Sequence, residues 1–294
     1  MTEVTTTQLT PEWFEVRKQV QLTASKFGEA LGVGKGRPYD FFLSLLSDEP
    51  PEQSNALMQH GVAMEPVINE AYQLLTGNKV LPTGFWKPEK DSALDGLCGA
   101  SPDGKIMEEY NPTKVVGFVE YKAPVYLIYT KERFPPHGIP RYYMAQIQGQ
   151  LGIAGIPWCD FMAVCTKTRE IMLHRVYAQS TYWKHLSLKL ADFCLTLKDA
   201  KLNKMQGRPI DTIEGVQRLK SQPMMKDLLP GEADIVVENK LEVDAHNQYK
   251  STAGHWLEYD FLMGNPVSDS MRLPDQKYQH LLRKLDIAIG LRWC

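Results

Sequence analysis

The run Val115-Val116-Gly117-Phe118-Val119-Glu120-Tyr121-Lys122 constrains this chain more than any other segment. Its β-branched and aromatic residues predict a strand, and Pro124 stops it. Side chains alternate along a strand, so Glu120 and Lys122 share one face while Tyr121 points to the other. Burying two charges on so apolar a strand is costly without a partner or a metal. Any fold this chain adopts must therefore bring compensating groups to the end of that strand.

Upstream, Ser101-Pro102-Asp103-Gly104 is a turn signal between predicted strands at Leu94–Ser101 and Lys105–Met107. If that turn closes a hairpin beside the Glu120 strand, Asp103 and Glu120 meet. Two hard carboxylates, with the Tyr121 backbone carbonyl between them, suit Mg²⁺ or Mn²⁺ and leave room for waters and phosphate oxygens. Lys122 would orient or help to deprotonate an attacking water, whose pKa the metal lowers. The bare pattern is common, and its alternative is a turn aspartate beside an exposed Glu and Lys.

Elsewhere the pattern alternates between helix and strand. A short helix at Pro11–Arg17 is capped by Thr10, and a second one starts at Thr23-Ala24-Ser25 and ends at Gly32 and Gly34. Asp48 to Ser54 reads as a loop. Leu57, Val62, Val67, Ile68, Ala71, Leu74 and Leu75 mark an amphipathic helix over Ala56–Leu75, with Pro66 inside it. Tyr142–Ile153 is helical, Trp158–Cys165 and Glu170–Tyr177 form a strand pair, and Tyr182–Leu197 is a helix. This order implies an α/β fold, a mixed central sheet flanked by helices. Beyond about residue 200 prolines interrupt the pattern, leaving Trp256–Phe261 as a strand and Asp275–Leu291 as a last helix. The expected division is a core over 1–202 and a C-terminal appendage over 203–294.

Three further groups carry chemistry. Glu65 falls on or beside the buried stripe of its helix, where an acid either joins the carboxylate pair or is turned outward by Pro66. Gln146 and Gln150, one turn apart, could hold a water or a phosphate oxygen, or simply face solvent. Arg17 follows Trp13 by one turn, and Ser25 caps the next helix, which together would make an anion pocket. The alternative is a guanidinium stacked on Trp13 with no ligand.

Composition excludes several classes. The net charge is −2, with 33 basic against 35 acidic residues, an unpromising balance for a nucleic-acid binder by count alone. Five scattered cysteines without a CxxC pair argue against zinc ribbons, iron–sulfur clusters and disulfide frameworks, leaving buried thiols. With no membrane-length apolar run and no signal-peptide pattern, the expected location is a reducing cytoplasm.

Six strings occur in the order of one known family: Trp13-Phe-Glu-Val-Arg17, Thr23-Ala24-Ser25, Gly61-Val-Ala-Met-Glu65, Ser101-Pro102-Asp103-Gly104, Glu120-Tyr121-Lys122-Ala-Pro124 and Tyr143-Met144-Ala145-Gln146-Ile-Gln148. Over about residues 10–185 the chain resembles the YqaJ-type viral recombinase family, which includes phage lambda exonuclease, within the PD-(D/E)XK nucleases. The resemblance implies a restriction-endonuclease-like core and a Mg²⁺-dependent 5′-to-3′ exonuclease on double-stranded DNA. It implies Asp103, Glu120 and the Tyr121 carbonyl as metal ligands, with Glu65 completing the cluster, Lys122 acting on water and Gln146 placing water or phosphate. Arg17 and Ser25, beside Trp13, match the family's 5′-phosphate pocket. Asp91 or Asp95 is a candidate for one more acid. A trimeric ring, a single-strand annealing protein as partner and a host cytoplasm are implied as well.

Two other readings compete: a structure- or site-specific endonuclease of the same fold, and a catalytically inactive DNA-binding subunit. An end-binding pocket is useless to an enzyme that cuts internally. With Mg²⁺, a linear duplex is expected to be degraded while the same duplex as a covalently closed circle survives. Rapid cleavage of the circle on a gel would favour the endonuclease.

Overall fold

In the computed structural model, which describes residues 1–48, 56–168, 170–243 and 249–250, the Glu120 strand lies inside the main sheet. The elements in chain order are β1 (Thr2–Val4), α1 (Pro11–Lys18), β2 (Leu22–Thr23), a 3₁₀ turn (Ala24–Lys26), α2 (Phe27–Leu31), α3 (Pro38–Leu46) and α4 (Ala56–Thr76). Then come β3 (Val80–Leu81), β4 (Phe85–Lys87), β5 (Cys98–Gly99), β6 (Gly104–Glu108), β7 (Asn111–Lys122) and α5 (Arg141–Ala154). The rest are β8 (Trp158–Val164), β9 (Ile171–Tyr177), α6 (Ser180–Met205), α7 (Glu214–Ser221), β10 (Val237–Val243) and β11 (Tyr249–Lys250).

The main sheet has seven strands in the order β11-β10-β9-β8-β7-β6-β3. It is mixed: β7 runs parallel to β8 and antiparallel to β6, and the crossover between β7 and β8 contains α5. Alternation along β7 divides its residues between two cores. Phe118 packs with Phe161, Met144, Ala145 and Ile147 on the α5 side, whereas Val119 and Tyr121 pack with Met64, Ile68 and Tyr72 of α4 on the other. The sheet is thus sandwiched by α4 and α5, in keeping with the expected α/β architecture.

Close backbone approach fixes α5. A Cβ at Gly28 would lie 2.4 Å from the Cβ of Tyr142, and one at Gly149 would lie 2.4 Å from the Phe27 ring. These two glycines interlock the segment 24–31 with the helix that carries Gln146 and Gln150. On the far side of the sheet, the buried Asp160 carboxylate accepts from Arg175 Nε at 2.7 Å and Nη2 at 2.8 Å and from Tyr72 Oη at 2.6 Å, tying α4 to β8 and β9.

Several expectations change. Leu94–Ser101 is not one strand: turns closed by Asp95 N–H to Ser92 O and Cys98 N–H to Leu94 O leave Cys98–Gly99 as a short strand, followed by a single antiparallel bridge from Ala100 to Trp86. Leu94 is buried as the anchor of that turn. On α4, Leu57 and Val62 are exposed, because the first turns overhang a cleft and the sheet covers only the later ones. The helix runs unbroken through Pro66. α3, β1, β3 and β4 add elements that short apolar runs did not reveal.

The 203–294 segment begins inside α6, which ends at Met205. Its described part joins the same core through Val216, Leu219, Leu229 and Ile235, and β10 pairs with β9. The expected strand at 256–261 and helix at 275–291, and all but the first residue of the Asp48–Ser54 loop, lie outside the described residues. The four described cysteines are buried and free. Among the described residues, no helix is long and apolar enough to cross a membrane.

Gly149→Ala tests the interlock. Helix propensity favours alanine by about 1 kcal/mol, while overpacking against Phe27 costs about 1–3 kcal/mol. The expected outcome in urea denaturation is a net loss of up to about 2 kcal/mol.

Candidate active site

β7 outruns β6. Their ladder ends at the pair Gly104 and Val119, after which Asp103 N–H donates to Val119 O at 3.1 Å. One step further, the Asp103 carboxylate replaces the missing strand, Oδ2 accepting from Tyr121 N–H at 2.6 Å. N–H and C=O of one strand residue face the same side, so the Tyr121 carbonyl is directed to the Asp103 edge as well. The turn and the strand thus meet as the sequence predicts.

Glu120 projects to the α5 face and is 1% exposed. Its Oε1 accepts from Gln146 Nε2 at 2.6 Å and from Lys122 Nζ, and its Oε2 accepts from Gln150 Nε2 at 2.7 Å. Lys122 also lies over the Tyr143 ring, 4.8 Å from its centroid. Desolvation lowers the Lys122 pKa, but Glu120 and Asp103 outweigh it and hold the ammonium above its ordinary range.

Glu65 approaches from α4, half-buried, so it joins the site's electrostatics. Burial, then the charge of Glu120, raise its pKa, with Lys122 opposing. Burial, then Glu120 and Glu65, push the Asp103 carboxyl well above the usual carboxylate range, against Lys122 and the Tyr121 N–H. Among the described residues no three His, Cys, Asp or Glu side chains lie together closely enough to hold a metal ion by themselves. An open set of two carboxylates and a carbonyl fits Mg²⁺, which keeps several waters and completes its shell with substrate phosphates. Asp103, Glu65, Tyr121 and Lys122, with Lys35 and Arg133, border a cleft of about 640 Å³, and Glu120 lies buried just behind it in contact with Lys122.

A second cluster forms around Arg17. Its guanidinium stacks over the buried Trp13, 4.2 Å from the ring centroid, and donates to Ser101 Oγ at 3.3 Å and Thr23 Oγ1 at 3.2 Å. Thr23 and Ser25 hydroxyls are 3.3 Å apart. No carboxylate pairs with Arg17 among the described residues, and burial lowers its pKa. Ser101 is two residues from Asp103, which links this cation to the carboxylates through one turn.

Gln146 was expected to touch water or phosphate, and here its amide binds Glu120. Asp91 and Asp95 are both exposed, with Asp91 N–H donating to Asp95 Oδ2 at 3.0 Å inside a surface turn. Thr23, Ser101 and Tyr143 join these clusters although no spacing in the sequence points to them as site residues. Ser101 and Thr23 belonged to motif strings, but only folding shows their hydroxyls on Arg17.

Residues 12–157 match the family described as the YqaJ-like viral recombinase domain. Among solved structures, an alkaline exonuclease from Laribacter hongkongensis, LHK-Exo, superposes with a TM-score of 0.53 at 22% identity, covering 67% of this chain and 97% of that one. LHK-Exo in complex with dAMP gives a TM-score of 0.53 at 24% identity, over 67% and 98%. The chain shares the fold of LHK-Exo. No curated protein matches the chain.

The raised carboxyl pKa values set a pH dependence. An acid whose folded pKa exceeds its unfolded value binds protons more tightly when native, so its folded state weakens as pH rises through the folded value. Asp103→Asn, which can still accept from Tyr121 N–H, is expected to melt above the wild type without metal at pH 8. The gap should narrow at pH 5. Added Mg²⁺ should raise the wild-type melting temperature and leave that of the variant nearly unchanged in scanning calorimetry.

Proposed function

The chain belongs to the YqaJ-like viral recombinase family, and from that premise we propose that it is a Mg²⁺-dependent 5′-to-3′ exonuclease on double-stranded DNA that leaves 3′ single-stranded tails. The observation that carries this reading is the pairing of two unlike sites across one turn. Asp103 and Glu65 bring negative charge to a cleft in front of the buried Glu120, while Arg17, bound to Ser101 just upstream, is a half-buried cation without a carboxylate. An acidic site for hydrolysis next to a basic site for an anion suits a strand that ends in a phosphate.

Asp103, Glu120 and the Tyr121 carbonyl would hold Mg²⁺, with Glu65 contributing directly or through water; Mn²⁺ has the same preference for oxygen. When bound, the metal would acidify a water and neutralise charge developing on the scissile phosphate. Lys122, charged and anchored between Glu120 and Tyr143, orients that water by donating a hydrogen bond. Gln146 keeps Glu120 in place. Arg17, with Ser25, Thr23 and Ser101, receives the terminal 5′-phosphate, and Trp13 sets the plane of the guanidinium. Holding that phosphate near the carboxylates selects the 5′ end and gives the polarity.

The family also supports a homotrimer threaded by DNA, a single-strand annealing protein as partner and action in a host cytoplasm. A ring needs positive charge only on its inner wall, which reconciles DNA binding with a net charge of −2.

End-labelled duplex digestion with Mg²⁺ tests activity and polarity together. Label at the 5′ end should be released first, and 5′-phosphorylated ends should be digested faster than 5′-hydroxyl ends. Lys122→Ala is expected to lower kcat by about 10²-fold or more. Arg17→Ala should shrink the preference for 5′-phosphate more than it weakens DNA binding. Release of 3′ label first, or unchanged cleavage by the Lys122 variant, would overturn the assignment.

A further inference from the structure

Gln150 stands out because its amide is satisfied on one side only. It is 0% exposed, its Nε2 donates to Glu120 Oε2 at 2.7 Å, and its Oε1 is buried with no hydrogen-bond partner. Leaving a buried acceptor without a partner costs stability, so something must hold the amide this way round. The carboxylate leaves no choice of orientation, since it can only accept, and so the NH₂ group must face it. The amide is held in this orientation by its contact with Glu120.

The lone pairs of Glu120 show what that contact does. A carboxylate has about four acceptor positions, two on each oxygen. On Oε1, Gln146 Nε2 and Lys122 Nζ take both. On Oε2, Gln150 takes one, which leaves one position open. Without Gln150 the carboxylate would be held at Oε1 alone and could rotate about its terminal bond. With it, both oxygens are fixed and the single open position has a set direction.

We propose that Gln150 is a positioning residue that locks the Glu120 carboxylate, so that its one free acceptor position is presented to a divalent cation. This rests on the reading of Glu120 as a metal ligand. It is distinct from the role of Gln146, which shares Oε1 with Lys122. Groups that hold a metal ligand in place typically contribute 10–100-fold to metal affinity.

Two substitutions separate positioning from packing. Gln150→Met keeps the volume and removes the donor, and Gln150→Ala opens space for a water that can donate to Oε2 in its place. Mn²⁺ affinity would be measured by electron paramagnetic resonance on the DNA-free protein, beside melting temperature and the Mg²⁺ dependence of kcat. The expected result is Mn²⁺ affinity 10–100-fold weaker in Gln150→Met and a smaller loss in Gln150→Ala, although alanine lowers the melting temperature more. The methionine variant should recover kcat at high Mg²⁺. A loss of affinity that follows the loss of stability, alanine worse than methionine, overturns the proposal, as does wild-type affinity in both. If the wild type itself binds no Mn²⁺, the metal reading of Glu120 fails with it; wild-type binding unchanged by the variants overturns the Gln150 inference alone. If the methionine variant does not fold, the alanine variant decides: affinity within threefold of the wild type, restored by water, supports the lock only if Gln150→Leu, which excludes that water, loses it.

Discussion

A carboxylate buried in the middle of a β-sheet is tolerated only if every side of it is answered, and Glu120 imposes that demand on this protein. Its charge sits 1% exposed on a strand where Phe118, Val119 and Tyr121 are its buried neighbours. Lys122 answers from two residues along the same face, and Gln146 and Gln150 answer from α5. That last requirement fixes where α5 lies. The helix must cross the sheet over Glu120, and Gly28 and Gly149 let its other side press directly against the Phe27 segment. The same segment supplies Ser25 and leads back to Arg17, so the placement of the Arg17 cluster is tied to how one acid is buried.

The opposite side of β7 is left under electrostatic tension. Asp103 and Glu65 are pushed toward protonation by burial and by Glu120, and the Lys122 ammonium opposes both, helped at Asp103 by the Tyr121 N–H. Groups perturbed in this way by desolvation and by specific neighbours mark functional sites more often than structural ones. Arg17 has the reverse imbalance, a desolvated cation answered only by hydroxyls. Over the whole chain the charges nearly cancel, yet two acids border the cleft while a guanidinium without a carboxylate partner lies against the turn just upstream. The bulk charge count therefore says little about what this surface binds.

Much of this was legible in the chain itself. The period-two pattern of β7 specifies that Glu120 and Lys122 share a face, and the turn chemistry at Ser101–Gly104 specifies a hairpin that delivers Asp103. The i,i+4 spacing of Gln146 and Gln150 gives them a common direction. Other parts were not legible. Leu57 and Val62 fit the apolar stripe of α4 but stand exposed, because periodicity describes a helix and not how far its partner sheet extends. Leu94 to Ser101 looks extended by composition, yet local hydrogen bonds close it into turns. The loosened pattern after residue 200 suggested a separate unit, whereas α7 and β10 complete the core with few residues each.

The sequence by itself determined the chemistry available: two carboxylates, a lysine and two amides at spacings that allow them to meet, and a basic residue beside an aromatic one. Tertiary structure decided what those groups are for one another. Gln146, expected to reach for substrate, serves Glu120, and Arg17 is joined to the carboxylates through Ser101. Spacing is a local property of a strand or helix, set by backbone geometry. Which donor fills which lone pair depends on contacts between elements far apart in the chain, and those are settled only when α5 closes over β7.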